Sequence, residues 1–302
     1  MPGILPLATA NRRRAMQLGA SAMVAAMIGT RPAIASQQPG GAYTFVVGGL
    51  DTRTVEQPEN TDVLMVSRVD LDAGSVRTLS IPRDLYVEIP GVGYDKVTRA
   101  YDYGSKASGN DWRAGARLCA DTIAHNFGVS VDGAALTTFG GFEAIVDAVG
   151  GVIVNNPYDL YDGEYPTLDY GYKEIFYPAG VLTLNGQQAL EFCRTRHQDG
   201  DDGRVMRQHL VLAAIFEKVQ DPAIVGDLPE LIEATRDAVR TTIPADVQVA
   251  LIGALPRIST GSLVFGSLTQ YLWGDTVAGG MWVYQGDWSV LPGIVQAFLE
   301  GS

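Results

Sequence analysis

YTFVVGGLD, residues 43–51, is a run of β-type side chains that stops on a glycine pair and presents an aspartate at its end. Tyr43 to Val47 is the predicted strand, and Gly48-Gly49 interrupts it just before Asp51. Outward from there, Val63 to Val69 is a second apolar strand behind the polar stretch Glu56 to Thr61, so Asp51 and Asp62 stand at neighbouring strand ends. Val76 to Ile81 is a third strand, stopped by Pro82, and Leu85 to Ile89 a fourth, closed by Pro90-Gly91.

Asp111 to Phe127 has helical spacing through Trp112, Ala116, Cys119, Ile123 and Phe127. Gly141 to Val149 is a second helix that Gly150-Gly151 ends, and Val152 to Val154 resumes the sheet. Asn155 to Gly171, rich in Tyr, Asp and Gly, is long for a connection and is expected to be a lid or binding loop. A long helix is expected from Gly203 to Val219, an amphipathic helix from Leu228 to Arg240, and a β/α tail ending in Ile294 to Leu299. Strands and helices alternate without repeats, which predicts the α/β class: an α-β-α sandwich with a central mixed β-sheet flanked by helices.

The 302 residues are 46% apolar and 19% charged, enough for one sizeable core. The beginning reads differently. Arg12, Arg13 and Arg14 precede an apolar run from Met16 to Gly29 and then Ala33-Ile34-Ala35, the order of a signal peptide over residues 1–35. Cleavage is expected after Ala35, with an uncleaved tether as the alternative, and the arginine pair also permits twin-arginine export. A single domain over 43–302, with its motifs in 43–220, is expected to work in the extracellular space or cell envelope. Residues 1–35 carry four arginines and no acids, so their removal takes the net charge from −12 to −16, which opposes nucleic-acid binding. Export allows a Cys119–Cys193 disulfide, and two buried thiols are the other reading. His125, His197 and His209 are too scattered for a zinc site, and His125 reads as a helix-surface residue.

Four of eighteen arginines fall within fourteen residues: Arg194 and Arg196 flank Thr195, and Arg204 and Arg207 stand three apart at a helix start. Guanidinium forks at a helix N-terminus suit phosphate oxyanions. The same arginines also read as ion-pair partners of Glu191, Asp199, Asp201 and Asp202. Arg83, between Pro82 and Asp84, sits where a strand holds a loop side chain, and Asp51 and Asp62 have the oxygen chemistry that Mg²⁺ takes alongside phosphate.

Taken in order, Gly48-Gly-Leu-Asp51-Thr-Arg53, Thr61-Asp62, Ile81-Pro-Arg-Asp84, Val149-Gly-Gly-Val152, Leu184-Asn-Gly186, Arg194-Thr-Arg196 and Arg204-Val-Met-Arg207-Gln208 resemble the LytR-CpsA-Psr family. The resemblance implies an exported phosphotransferase. It would take a glycopolymer from a polyprenyl-pyrophosphate carrier and attach it to a cell-wall glycan through a phosphodiester, with Mg²⁺ or Mn²⁺ as cofactor. It further implies metal contacts at Asp51 and Asp62. Pyrophosphate contacts fall to Arg83, Lys96, Arg194, Arg196, Arg204, Arg207 and Gln208, and catalysis to Arg83, Asp84, Arg196 and Arg204. Asp51, Asp84 and Asp201 are the candidate bases. The alternatives are a polyprenyl-pyrophosphate phosphatase and a non-catalytic envelope regulator.

Many family members have an arginine two residues before the second aspartate, where this chain has Asn60, which removes one expected phosphate contact. Asp202 likewise stands where an apolar residue is usual. A lipid tail needs an apolar groove, for which the helices at 111–127 and 204–220 are the expected walls.

Overall fold

Both faces of the strand that carries the glycine pair are covered. In the computed structural model, which describes residues 40–51, 59–167, 171–221 and 237–302 with Ile224 and Thr235, strand β1 (Ala42–Asp51) buries Phe45 and Val46 in succession. Consecutive residues point to opposite faces, so this requires a layer on each side.

The order continues β2 (Asn60–Asp70), β3 (Ser75–Ser80), the short hairpin β4 (Tyr86–Ile89) and β5 (Gly93–Lys96), a 3-10 turn at Val97–Arg99, α1 (Ala100–Ala107), α2 (Trp112–Phe127), β6 (Gly133–Thr138) and α3 (Phe139–Ala148). Then come β7 (Val152–Asn156), β8 (Leu160–Pro166), β9 (Tyr172–Tyr177), β10 (Gly180–Leu184), α4 (Gly186–Arg194) and α5 (Gly200–Val219). The last part holds β11 (Val239–Thr241), α6 (Ala245–Ala254), β12 (Leu263–Ser267), β13 (Leu272–Val277), β14 (Met281–Gly286) and α7 (Leu291–Glu300).

The main sheet runs β11-β6-β1-β2-β3-β12, with β1/β6 and β3/β12 parallel and the other pairs antiparallel. Val46, Leu50, Leu64 and Val66 face Cys119, Ile123 and Phe127 of α2 and Val295 of α7. Across the sheet, Phe45, Val47 and Met65 face Leu212 and Phe216 of α5 and Leu251 of α6. This is the expected α-β-α sandwich with a mixed sheet. A second core, with Val146, Val152, Leu160, Phe192 and Val211 among its members, joins α3, α4 and α5 to the small β7/β10 and β8/β9 hairpins.

The expected loop at 155–171 is in fact largely strand. Its inward side chains Leu160, Asp162 and Tyr165 are all at most 3% exposed, and a register shift between Asp162 and Tyr165 hides their alternation. The helix at 111–127 is core, not a groove wall. Cys119 and Cys193 are buried free thiols in separate cores, and burial pushes both up to about 12. His125 is on the surface, 3.2 Å from Glu88. The signal segment 1–35, Arg53 and more than half of the helix expected over 228–240 lie outside the described residues. Val239 and Arg240, at that helix's end, belong to β11.

Candidate active site

The two strand-end aspartates are presented differently. Gly49 pairs with Val63 and Leu50 with Thr61, so Asp62 is the extra residue of a β-bulge, a device that re-aims a side chain. Reciprocal hydrogen bonds clamp the bulge to the 3-10 turn: Thr61 Oγ1 donates to Thr98 O at 3.2 Å, and Thr98 Oγ1 to Thr61 O at 2.9 Å. Asp62 Oδ1 then accepts from Arg83 Nη1 at 2.8 Å. Asp51 ends β1 opposite Asn60.

Ile81-Pro82-Arg83-Asp84 has its backbone held from three sides. Ile81 N donates to Leu64 O of β2, Thr98 N to Arg83 O, and Tyr284 N of β14 to Asp84 O, at 2.8 to 3.1 Å. Arg83 and Asp84 are thereby fixed without help from their own side chains. Lys96 Nζ lies 2.7 Å from Asp84 Oδ1, and Arg83 Nε 3.4 Å from Asp84 Oδ2. Burial pulls the Arg83 guanidinium down, and Asp62 and Asp84 outweigh it, so its net direction is up.

These side chains line a cavity of about 290 Å³ together with Asn60, Thr98, Arg99 and Met281. Nε of Arg83, Nε of Arg99 and Oδ1 of Asn60 are buried there without a hydrogen-bond partner. Buried polar atoms rarely stay unpaired, and two donors on cations facing one cavity suit an anion. The oxygens of Asp51, Asn60 and Asp62, with no nitrogen or sulfur donor among them, fit a hard divalent cation that shares a phosphate. Among the described residues no group of three or more His, Cys, Asp and Glu forms a self-sufficient metal cage.

The arginine segment divides into three environments. Arg204, with its side chain 10% exposed, reaches Asp201 at 3.2 Å, and Arg196 approaches the same carboxylate at 3.9 Å. Burial, only partly offset by Asp201 and reinforced by nearby Arg83, lowers the Arg204 guanidinium, and its Nε also lacks a hydrogen-bond partner. Arg194 turns to an aromatic corner, lying 4.2 Å over the Phe139 ring and donating to Tyr165 Oη at 2.9 Å. Arg207 is fully buried and differs from its sequence reading as an oxyanion ligand. Its guanidinium donates to Phe192 O at 2.8 Å, to Thr195 O and to Asp199. A Cβ at Gly203 would collide with the Asp199 carboxylate, so glycine there makes room for this pair. Helix α5 also begins three residues earlier than expected, and Asp201 and Asp202 occupy its first turn, where acids suit the helix dipole.

Sequence reading missed the support beneath Arg194 and Arg196. Asp162, buried in β8, accepts from Thr195 Oγ1 at 2.5 Å and from Glu164 N at 3.0 Å, and bonds His197 Nδ1 at 2.7 Å. Desolvation pushes its carboxyl up, but the hydrogen bonds to Thr195, His197 and Glu164 together outweigh this and hold it below the usual range. Arg99, Met281 and Tyr284 were also missed, since each adjoins the site only through tertiary folding.

A small pocket of about 20 Å³, with Asp62, Val63, Arg83, Asp201, Arg204 and Gln208 among its lining, lies between the cationic cavity and an apolar groove of about 110 Å³. Gly48, Val63, Phe139, Phe142, Leu190 and Leu212 line that groove. Any Cβ at Gly48 would meet Val63 O at 2.8 Å and Leu136 Cδ2 at 2.9 Å. Of the residues singled out from sequence, Asp62, Arg83, Asp84, Lys96, Asp201, Arg204 and Gln208 line these adjoining pockets, with Arg196 at their rim and Arg194 in the groove wall. Arg207 stands apart from them in the interior.

In sequence, the chain is 32% identical over 225 residues to a TagU of Oceanobacillus iheyensis, a polyisoprenyl-teichoic acid–peptidoglycan teichoic acid transferase. That match covers 72% of this chain and just under two thirds, 66%, of the relative's length. In structure, the chain resembles Bacillus subtilis TagV, with a TM-score of 0.68 and 21% identity over 87% of this chain and 98% of that one. It also resembles TagT bound to LI-WTA, with a TM-score of 0.67 and 22% identity over 89% and 94% of the two chains. The model of the LytR_cpsA_psr family matches residues 15–292, and the chain belongs to that family.

Proposed function

We propose that this protein is an exported glycopolymer phosphotransferase acting on a polyprenyl-pyrophosphate carrier at the cell envelope. The observation that carries this reading is the adjacency of the two cavities, with a small pocket between them. Asp62 and Arg83 are shared by the cationic cavity and the small pocket, and Val63 and Gln208 by the small pocket and the apolar groove. A ligand that fits both needs a polyanion joined directly to a long apolar chain, which a pyrophosphate lipid has. The O. iheyensis relative, named for transfer between polyisoprenyl-teichoic acid and peptidoglycan, supports the substrate class, and TagT bound to LI-WTA supports a wall polymer at this fold.

In this reading Arg83, Arg196 and Arg204 grip the pyrophosphate oxygens, Lys96 holds Asp84 at the cavity wall, and Arg194 guards the groove mouth. Asp51, Asn60 and Asp62 hold Mg²⁺ or Mn²⁺, which when bound neutralises charge on the phosphates. An acceptor hydroxyl attacks the phosphorus that bears the glycopolymer, the bond to the bridging oxygen breaks, and polyprenyl phosphate leaves with the electron pair. Of the three candidate bases, Asp84 is the one lining the larger cavity, and it takes the hydroxyl proton. The arginines meet charge as it gathers on the bridging oxygen.

The test is to incubate purified protein with a polyprenyl-pyrophosphate-linked oligosaccharide, with and without soluble glycan strands. Phosphodiester-linked product with strands present supports the reading. Equal lipid-phosphate release under both conditions makes the protein a phosphatase instead.

A further inference from the structure

Another cavity opens beside the small pocket that Asp62, Arg83 and Arg204 line. Its volume is about 440 Å³, against about 290 Å³ for the cationic cavity. Asp202, Val205, Met206 and His209 of α5, spaced to share one helical face, form one wall. Phe265 and Ser267 of β12, the edge strand of the main sheet, form the other. Three links tie this cavity to the small pocket. Val205 lines both. Ser80 Oγ of the small pocket meets His209 Nε2 at 2.8 Å, and Thr269 Oγ1 of the small pocket meets Ser267 Oγ at 2.8 Å. The cationic cavity, the apolar groove and this cavity therefore all border the pocket that Arg83 and Arg204 wall.

The lining is apolar at Val205, Met206 and Phe265, with the Phe265 ring stacked on His209 at 4.8 Å between centroids. Burial keeps that imidazole neutral at pH 7, so Asp202 is the one charge in the lining. Its two acidic neighbours are occupied: Arg207 holds Asp199, and Arg204 and Arg196 hold Asp201. The exposed Asp202 carboxylate has no ion-pair or hydrogen-bond partner among the described residues. Such a carboxylate can accept from two neighbouring hydroxyls of a sugar, while apolar side chains beside it receive the C–H face of the ring. The same charge repels a uronic acid or a phosphorylated sugar. In the transferase reading the lipid takes the apolar groove and the acceptor hydroxyl reaches Asp84 in the cationic cavity, which leaves this cavity for the glycan that the donor phosphorus carries. We propose that it seats the first sugar of the donor glycopolymer, a neutral or amino pyranose, and that Asp202 sets this choice. This rests on the transferase reading, so its test includes a ligand without sugar and a binding measurement that needs no turnover.

The probes are geranyl pyrophosphate and its conjugates with N-acetylglucosamine and with glucuronic acid, titrated calorimetrically against the full chain. The N-acetylglucosamine conjugate is expected to bind about tenfold tighter than bare geranyl pyrophosphate, the effect of charge-assisted hydrogen bonds, and the glucuronic acid conjugate no tighter than the bare lipid. Asp202→Leu should abolish the gain, and Asp202→Asn should keep part of it while binding both conjugates alike. Each variant loses an anion near the phosphates, so each should bind bare geranyl pyrophosphate at least as tightly as wild type, which also reports that it is folded. In the transfer assay the donor KM of Asp202→Leu should rise by a similar factor while the acceptor KM stays within about twofold. A wild type that gains nothing from the sugar, or an Asp202→Leu variant that keeps the full gain, overturns the site. Equal binding of the two conjugates by the wild type overturns Asp202 as the selector. A sugar gain lost in Asp202→Leu without any detectable transfer leaves the glycan site standing and sinks the transferase reading alone, and a wild type that binds none of the probes overturns both.

Discussion

Arg83 Nη1 and Asp62 Oδ1 meet at 2.8 Å, joining the turn after β3 to the bulge of β2 where the cationic cavity adjoins the small pocket beside it. The pair is three-quarters shielded on each side, with side chains 25% exposed. An arginine so placed can hold its carboxylate and still offer Nε to a ligand.

Arg83→Ala is expected to lower turnover by ~10² or more, because it removes a contact that strengthens as the bridging oxygen gains charge. Its melting temperature should move little, since a pair with this much exposure contributes only about 1 kcal/mol. Arg83→Lys should recover part of the rate, keeping the charge but losing the fork. Lipid-phosphate release and thermal melts on both variants check this, and full activity in Arg83→Ala would reject the assignment.

Arg207→Ala should behave in the opposite way. It leaves the carbonyls of Phe192 and Thr195 without that donor in the interior and Asp199 with Tyr158 Oη in place of its cation. A loss on the order of 3–5 kcal/mol is expected. Urea denaturation reads it directly, and a stable variant with lost lipid affinity would restore the ligand role read from sequence.

Arg99 is expected to supply the phosphate contact that Asn60 withholds, since the two residues line one cavity and Arg99 Nε lacks a hydrogen-bond partner. Arg99→Ala should raise the KM for the pyrophosphate lipid about tenfold, the loss of one charge-assisted bond. An unchanged KM in Arg99→Ala would show that its guanidinium serves only Asp95 and the Tyr103 ring.

Divalent-ion affinity should be weak in the apoprotein and rise sharply with a pyrophosphate lipid, whose oxygens complete the shell of an ion held by few carboxylates. Calorimetry with Mg²⁺, with and without lipid, makes the comparison. Asp51→Asn and Asp62→Asn should each abolish the lipid-dependent gain, and equal affinities in the two titrations would remove the metal from this site.

His209 is held down at about 4 by burial, with Nε2 2.8 Å from Ser80 Oγ. Its folded value lies below the unfolded value of 6.5, so the unfolded chain binds more protons between the two. Stability should therefore be highest above about pH 6.5, fall as pH drops, and stop responding to this group below about 4. The full effect is on the order of 3 kcal/mol. Chemical denaturation from pH 7 to 4 measures it, and a slope unaltered in His209→Gln would assign the acid sensitivity elsewhere.

Much of the frame was legible because apolar runs ended on strong punctuation. Pro82 stops β3, and Gly150-Gly151 follows α3 at φ 77° and 79°. The β8/β9 hairpin was illegible because its inward row includes Asp162, a carboxylate that pattern reading places in solvent. Within the site, sequence grouped Arg207 with Arg204 by spacing, yet three residues of helix turn a side chain enough to separate a cavity from a core. Arg99 and Met281 carry no local signal, and only the packing of distant segments puts them in one cavity with Asp84.

The two cysteines have a practical consequence. Each thiol is walled off in its own core and held almost wholly protonated at neutral pH, so neither offers the thiolate that maleimides or disulfide reagents attack. One cysteine introduced on the surface, for instance in place of Thr276 beside Trp282, would be the sole labelling handle of the native chain. A dye or spin label could then report ligand binding on an otherwise unmodified protein.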